Sequence, residues 1–272
     1  MEGLQERLGM LAIIGGGKMG EAIVAGLVQG AGFNPAGVQV AEPFTDRCEL
    51  ITELYGVRCV ADGAMIDAPE TVIIAVKPQI IREVLAALAA AEGFQPSRVV
   101  SIAAGVTSDL VRSYFPDCAV IRVMPNLALS VSAGMSVVAA AEGTSPSEAE
   151  LVCELFSLMG EALILDEGLI DVATAVSGSG PAYFALFAEE LAKSGIAAGL
   201  PEETARQLAR QTVIGAGRYL DLTGSTPEDL RGAVTSPNGT TQAALESFAD
   251  QGFAEMVQNA FDACIQRAKE LA

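Results

Sequence analysis

The sequence predicts an α/β protein in which an N-terminal Rossmann-like, doubly wound sheet is followed by an all-α C-terminal domain. In the first part of the chain, short apolar runs alternate with helical patterns, which is typical of a parallel sheet built from βαβ units. From Asp166 onward, only helical periodicity broken by turn residues remains. We therefore place the sheet domain in residues 1–165 and the helical domain in residues 166–272.

Seven strands are predicted in the sheet domain because each is a short, nearly continuous apolar run, as expected of strands covered on both faces. They are Met10–Ile14, Val38–Ala41, Val57–Val60, Thr71–Val76, Arg98–Ile102, Ala119–Met124 and Ser136–Ala140. The helical stretches between them are Glu21–Gln29, Asp46–Tyr55, Ile80–Ala91 and Ser108–Phe115. Residues 1–9 are charged and lack a long apolar run, so we expect no signal peptide there.

The helical domain is predicted to contain five helical stretches and, after a loop, a further short helix, Gln242–Ala249. The five are Leu169–Val176, Pro181–Ala198, Pro201–Leu222, Pro227–Ala233 and Phe253–Leu271. Apolar residues recur along the last of these at three- and four-residue spacing, which indicates a stripe buried in the core or at a subunit interface.

The composition excludes several classes of protein. The chain has no histidine in its 272 residues, so a Ser-His-Asp or Cys-His hydrolase and an H-E-x-x-H zinc enzyme are ruled out. The 16 basic and 34 acidic residues give a net charge of −18, which disfavours binding to nucleic acid. The five cysteines are scattered, so we expect reduced thiols and no metal site. No apolar stretch reaches the roughly 20 residues that span a bilayer; we expect a cytoplasmic protein.

The strongest local motif lies directly after the first predicted strand. Gly15, Gly17 and Gly20 form G-x-G-x-x-G at the start of a helix. In this context the first glycine permits a tight turn, the second lets the backbone approach a pyrophosphate, and the third allows close packing of helix and strand. Together with Lys18 and Met19, these glycines are expected to bind a nicotinamide dinucleotide, which makes residues 1–165 the dinucleotide-binding domain.

Two neighbouring features bear on the choice of cofactor. Glu42 ends the second strand, where an acidic residue binds the adenosine ribose hydroxyls and favours NADH. Arg47 follows closely and could accommodate a 2′-phosphate, so the choice between NADPH and NADH stays open. Further cofactor contacts are expected after the fourth strand, at the sheet edge where ligands of such sheets bind. These residues are Ala75, Val76, Lys77 and Pro78.

Two loops rich in small residues interrupt the helical domain. The segment Ser236-Pro237-Asn238-Gly239-Thr240-Thr241 precedes the short helix and offers free amides and hydroxyls, which can bind a carboxylate without an arginine. The other loop is Ser177-Gly178-Ser179-Gly180-Pro181. An ordinary helix cap has a similar composition, but two such breaks in one helical domain favour close approach of the backbone to a ligand.

With these motifs, the chain closely resembles the pyrroline-5-carboxylate reductase family. The similarity extends from Met10 almost to residue 272, and two segments of the helical domain are its most specific part. The matching segments are Ile14–Gly20, Ala75–Gln79, Ser101–Gly105, Arg122–Asn126, Ser177–Tyr183 and Thr235–Thr241.

The resemblance implies an enzyme that reduces 1-pyrroline-5-carboxylate to L-proline with NADPH or NADH, the last step of proline biosynthesis. It also implies a homodimer formed through the helical domains, with decamers in many members. In the family, the loop before the short helix holds the substrate carboxylate. That role is carried over to Ser236, Gly239, Thr240 and Thr241, and Thr241 is the expected catalytic hydroxyl, beside the ring nitrogen.

The chain departs from the family pattern at three places. Asn238 replaces a usual glycine, so we expect a backbone conformation there that asparagine tolerates, such as the left-handed region. Gly63 stands where many members have an asparagine, which puts contacts to the adenosine ribose in doubt. Leu127 and Ala128 stand where Thr-Pro is usual.

Two alternatives remain from the residues alone. Another NAD(P)-dependent reductase with a Rossmann domain before a helical domain would need a catalytic lysine, and the helical domain offers only Lys193 and Lys269, both expected at the surface. A non-catalytic dinucleotide-sensing protein would explain the glycine motif but would leave the two loops of the helical domain without a role.

Overall fold

The computed structural model describes residues 2–271 and the side chains of residues 3–270. Its strands form one eight-stranded sheet in the order β3-β2-β1-β4-β5-β6-β7-β8, in which all neighbours are parallel except β6 and β7. The strands are β1 Leu11–Ile14, β2 Val38–Ala41, β3 Arg58–Val60, β4 Thr71–Ile74, β5 Arg98–Ser101, β6 Ala119–Met124, β7 Gly134–Ala140 and β8 Gly160–Ile164.

Among residues 2–271, seven α-helices lie before Ser179, in the unit that contains the sheet, and five begin after it. The first group is α1 Glu2–Leu8, α2 Lys18–Ala25, α3 Thr45–Tyr55, α4 Ile81–Ala90, α5 Ser108–Tyr114, α6 Pro146–Ser157 and α7 Ile170–Ala173. The second group is α8 Gly180–Ala197, α9 Glu202–Thr223, α10 Pro227–Ala233, α11 Thr240–Asp250 and α12 Phe253–Leu271.

The sheet is covered on both faces, since every residue of β1, β2, β4 and β5 is buried. Along β1, Leu11 and Ile13 join one hydrophobic cluster, whereas Ala12 and Ile14 join the other. This alternation follows from the two-residue period of a strand. The first cluster is filled from α1, α2, α3 and α6, and the second from α4 and α5. The predicted doubly wound sheet is thereby confirmed.

The candidate ligand crevice lies at the carboxyl end of β1. This strand pairs with β2 on one side and β4 on the other, so the chain order reverses there. At such a switch point, the loops after the neighbouring strands diverge and leave a crevice at their carboxyl ends, where ligands of open α/β sheets bind.

Packing divides the described chain into two units. The first contains the residues up to Gly178 together with those from Cys264 onward, and the second is Ser179–Ala263. Residues that follow the sheet still pack on it, since Ile170 clusters with Val137 and Ala139 of β7. The domain boundary at residues 165 and 166 marks the change in periodicity and stays a prediction.

The second unit is helical throughout. Helices α8 and α9 pack against each other through small residues, with Ala192, Ala205 and Ala209 buried. Phe248 joins two other aromatic rings, with ring centroids 5.9 Å from Phe187 and 5.7 Å from Phe253. Among residues 2–271, no helix has the length and apolar character needed to cross a membrane.

Candidate active site

The three glycines of the loop between β1 and α2 have three different environments. Gly15 has φ +106°, and a Cβ there would lie 2.8 Å from the carbonyl oxygen of Ala75. A Cβ on Gly20 would lie 1.9 Å from the carbonyl oxygen of Gly15, so only glycine allows the helix to approach the loop this closely. A Cβ on Gly17, by contrast, would have no atom of the chain within 4 Å. Gly15 and Gly20 therefore shape the loop, whereas Gly17 leaves space beside it.

The open space at Gly17 lies at the N-terminus of α2. Gly17 is the N-cap residue, and as a glycine it supplies no side-chain cap to the free amides of the first turn. These amides and the helix dipole suit a phosphate group. Lys18 is exposed beside them, whereas Met19 is half-buried against the core. The arrangement fits the pyrophosphate of a dinucleotide, and Met19 also contributes to the packing of the core.

Glu42 holds the loop from the neighbouring strand. The Glu42 residue is 6% exposed, and its carboxylate accepts the Gly16 N–H at 2.8 Å and the Phe44 N–H at 3.1 Å. A Cβ on Gly16 would lie 3.0 Å from the Cβ of Glu42, so the two backbones are in close approach. Glu42 therefore lies at the predicted position beside the glycine loop, where its carboxylate is fixed by two backbone amides.

Arg47 bonds to the carbonyl group of the same residue, Gly16. Its Nε donates to the carbonyl oxygen of Gly16 at 2.8 Å, and its Nη2 forms an ion pair with Glu21. The Tyr55 hydroxyl donates to the same Glu21 carboxylate at 3.0 Å. Burial and this hydrogen bond raise the pKa of Tyr55 above its usual value of 10.0. Arg47 is thus part of the support of the glycine loop.

The segment Ala75–Pro78 continues from β4 beside the glycine loop. The Ala75 N–H donates to the carbonyl oxygen of Ile14 at 2.8 Å, which keeps the segment next to the end of β1. Val76 packs against the second hydrophobic cluster. Lys77 is exposed and precedes the short turn Pro78–Ile80. The structure therefore brings this predicted segment to the same crevice as Gly15, although the strand ends at Ile74, two residues earlier than predicted.

Asn126 fixes another loop at the carboxyl edge of the sheet. Its buried side chain donates to the Ser177 carbonyl at 3.0 Å and accepts the Ala128 N–H at 3.1 Å. Helix α7 runs directly into a π-helical turn, Thr174–Gly178, which places Ser177 at this position. A Cβ on Gly178 would lie 2.9 Å from the terminal methyl of Met124, so the Ser177-Gly178 segment lies close to the end of β6.

A buried charge cluster holds the loop after β5. Arg122 is buried and pairs with Asp171 at 2.9 Å and with Glu167 at 3.5 Å. Glu167 also accepts the Ser108 N–H at 2.7 Å and bonds to the Ser108 hydroxyl. Because Ser108 opens α5, the cluster fixes the end of the loop that follows Ser101, which carries part of the resemblance.

The second unit contains the other predicted loop, between α10 and α11. Its turn is closed by the Gly239 N–H, which donates to the Ser236 carbonyl at 3.0 Å. Asn238 has φ +57°, which confirms the expected left-handed backbone, and its N–H donates to the Gln242 side chain at 2.8 Å. A Cβ on Gly239 would lie 2.3 Å from the Ser236 hydroxyl oxygen, so this glycine is needed for the turn.

This loop presents hydrogen-bond donors without cations. Gly239 is the N-cap residue of α11 and supplies no side-chain cap, so the amides of the first turn lack helical acceptors. Within the described chain, no hydrogen bond occupies the side-chain hydroxyls of Ser236, Thr240 and Thr241. The four predicted substrate-binding residues therefore lie in one turn and form a concentrated group of donors for a small anion.

Gly63, the second departure from the family pattern, has a packing reason. A Cβ at this position would lie 2.5 Å from Cδ2 of Leu88, a buried residue of α4. The preceding Asp62 caps the short turn by accepting the Ala64 N–H at 2.9 Å. A longer side chain at residue 63 would displace Leu88.

The fold and this glycine crevice define a dinucleotide-binding protein of the Rossmann class. A family model described as NADP oxidoreductase, coenzyme F420-dependent, matches residues 10–105, and one described as pyrroline-5-carboxylate reductase dimerisation matches residues 167–271. The chain belongs to the pyrroline-5-carboxylate reductase family.

Relatives and solved structures agree with this membership over nearly the whole chain. A pyrroline-5-carboxylate reductase of Synechocystis is 40% identical over 96% of this chain and 97% of its own length, and one of Arabidopsis thaliana is 34% identical over 96% of this chain and 95% of its own length. The structure of the Coxiella burnetii enzyme has a TM-score of 0.87 at 32% identity and covers 97% of this chain and 99% of its own. That of Streptococcus pyogenes has a TM-score of 0.81 at 29% identity and covers 96% and 98%.

Proposed function

We propose that the protein reduces 1-pyrroline-5-carboxylate to L-proline with NADPH or NADH, the last step of proline biosynthesis. It is thus an NAD(P)H-dependent oxidoreductase that acts on a C=N bond. Family membership supports this assignment. The observation that supports it most directly is the α10–α11 turn, in which Ser236, Thr240, Thr241 and the first amides of α11 offer hydrogen-bond donors suited to a carboxylate.

The chemistry asks little acid–base work of the protein. A protonated cyclic imine is already electrophilic at carbon, so the missing histidine is no obstacle. The bound nicotinamide supplies the hydride. The chain must hold the substrate in one orientation with the reacting atoms roughly 3–3.5 Å apart. As hydride adds to carbon, the C=N electron pair moves to nitrogen.

We assign the substrate contacts to one turn of the second unit. The amides at the start of α11 and the hydroxyls of Ser236 and Thr240 bind the carboxylate, because helix N-termini favour anions. Thr241 is half-buried, and its hydroxyl hydrogen-bonds the ring nitrogen, where it steadies the proton. Gly239 keeps the turn tight enough for these donors to converge.

The rival lysine-dependent reductase lacks its catalytic group. Lys193 is exposed and pairs with Glu190 at 2.6 Å, which raises its pKa. A raised pKa keeps the ammonium protonated at neutral pH and disfavours a role as a base. Lys269 is also exposed near the end of α12. The predicted surface position of both lysines is confirmed.

The assignment predicts a large effect of Thr241→Ala on turnover. Loss of one positioned hydrogen-bonding group lowers kcat by about 100-fold, while the dissociation constant of the reduced cofactor stays unchanged. Thr241→Ser keeps the hydroxyl and restores most of the rate. The matched control is Thr212→Ala in α9, where the lost hydroxyl bonds only to the Leu208 carbonyl.

The assay follows cofactor oxidation on addition of racemic pyrroline-5-carboxylate, with both NADH and NADPH. Unchanged turnover in Thr241→Ala would refute its catalytic role. Tight cofactor binding without substrate-dependent oxidation would instead identify a non-catalytic dinucleotide sensor.

We also propose that the protein is a cytoplasmic homodimer that assembles further into a decamer and binds neither nucleic acid nor membrane. The matched dimerisation region, residues 167–271, supports association. The second unit exposes large apolar side chains, among them Phe184 at 68% and Met256 at 60%, in a density unusual for a monomer. Sedimentation velocity measures the state: a species of 28.0 kDa at micromolar concentration would contradict the dimer.

A further inference from the structure

We propose that this protein binds NADH in preference to NADPH, and that Glu42 determines the preference. The inference rests on the proposed function only in requiring that a reduced nicotinamide dinucleotide binds at the glycine loop. It concerns the two ribose substituents that distinguish the cofactors, a hydroxyl and a phosphate on the same carbon.

The first step is the position of the Glu42 carboxylate. Glu42 directly follows β2, beside the crevice at the carboxyl end of β1, where the adenosine ribose of a dinucleotide is expected. The Gly16 amide donates to one carboxylate oxygen of Glu42 and the Phe44 amide to the other, so each oxygen has one acceptor position filled. A carboxylate has about four acceptor positions, so it can still accept protons from two vicinal hydroxyls. The ribose of NADH offers such a pair.

The second step is the mismatch with a 2′-phosphate. At neutral pH a phosphate monoester carries a charge of about −1.5 to −2 and offers acceptors. It therefore has little to donate to Glu42 and meets a like charge in a site where solvent screening is weak. Glu42 cannot easily turn away, because both of its oxygens are tied to the backbone and its side chain is buried.

The third step is the engagement of the basic side chains that could offset this charge. Arg47 bonds to the Gly16 carbonyl and the Glu21 carboxylate, so a phosphate would have to break both interactions. Arg58, on β3, pairs with Asp67 and donates to Gln39 at 2.6 Å. Lys18 is exposed at the start of α2, where the pyrophosphate is expected. The segment after β2 also adds Asp46, another negative charge.

The direct test is a comparison of dissociation constants for the two reduced cofactors, read from nicotinamide fluorescence with no substrate present. We expect NADH to bind at least about tenfold more tightly than NADPH. Equal affinities, or tighter binding of NADPH, would overturn the proposal. Because the readout is binding, absence of pyrroline-5-carboxylate reduction would refute the proposed function and leave this result standing.

Two variants separate charge recognition from loop support. Glu42→Gln removes the charge at nearly constant size, and we expect the ratio of the NADPH to the NADH dissociation constant to fall about tenfold. A ratio that stays as in the wild type would show that Glu42 only supports the loop. Arg47→Ala should change both constants by the same factor, and a loss confined to NADPH would show that Arg47 binds the phosphate. If either variant fails to fold, the wild-type ratio still decides.

Discussion

Two substitutions in the same glycine motif should fail in different ways. Gly17→Ala adds a methyl group where the chain has no atom within 4 Å, on a backbone with φ −64° that alanine readily adopts. Gly20→Ala adds a methyl group at a distance of 1.9 Å from the Gly15 carbonyl oxygen. We expect the first to spare the fold and weaken dinucleotide binding, and the second to destabilise the fold itself.

The magnitudes follow from these surroundings. Gly15 has little room to move away from a new methyl group, because its N–H is bonded to the Ala41 carbonyl and the Ala75 carbonyl lies close to it. Overpacking at such a site costs about 1–3 kcal/mol or more, which corresponds to a Tm lower by roughly 2–12 °C at this size. At Gly17 the methyl displaces a phosphate from its amide donors. Charge-assisted hydrogen bonds contribute about 1.5–3 kcal/mol, so the dissociation constant should rise about 10- to 100-fold.

Thermal unfolding without cofactor and fluorescence titration with NADH measure the two effects separately. The reasoning is refuted if Gly17→Ala lowers the cofactor-free Tm as much as Gly20→Ala does. It is also refuted if Gly17→Ala binds NADH as tightly as the wild type, because the open space would then have no part in cofactor binding.

Three further outcomes test the supports of the site. Asn126→Ala should cost about 1–3 kcal/mol in urea unfolding, since it leaves buried backbone groups unpaired, whereas the exposed neighbour Leu127→Ala should change stability by less than about 0.5 kcal/mol. Arg122→Met should lower the free energy of unfolding by about 3 kcal/mol, because two carboxylates lose their buried partner. The control Arg7→Met breaks an exposed ion pair and should lower it by at most about 1 kcal/mol. Equal losses of stability in the two variants would contradict the role of burial. Burial, then the neighbouring Cys48 thiol, raise the pKa of Cys59 from 9.0 to about 12. Because the folded protein holds the Cys59 proton more tightly than the unfolded chain does, the neutral thiol stabilises the fold fully below pH 9, and this stabilisation is lost as the pH rises toward 12. Cys59→Ala should therefore make the decline of Tm with pH shallower.

The sheet was largely predictable because its strands are apolar on both faces and separated by helical patterns. All seven predicted strands are present, with ends that differ by one or two residues. Strand β8 was not predicted, since its five residues are mostly exposed and begin at Gly160. Helices α1 and α6 were not predicted either; α1 has only two buried apolar residues, Leu4 and Leu8, which is too few for a periodic pattern.

The site was predictable where a motif dictates backbone geometry. The glycine loop and the left-handed Asn238 follow from local rules, because few residue types fit such positions. Partners distant in the sequence did not follow. Arg47 meets the Gly16 carbonyl across 31 positions, and Asn126 meets Ser177 across 51. A local pattern carries no information on such pairs, so Arg47 was open to interpretation as a phosphate ligand.

The return of the chain to the first unit at Cys264 affects synthesis on the ribosome. Ala268, which is 7% exposed, and its neighbours belong to a unit whose other residues end at Gly178. Synthesis proceeds at about 5–20 residues per second. The whole of Ser179–Ala263 must therefore be synthesised before the last helical segment of the first unit becomes available to pack with it. A truncation after Gly178 would leave that unit permanently short of this segment.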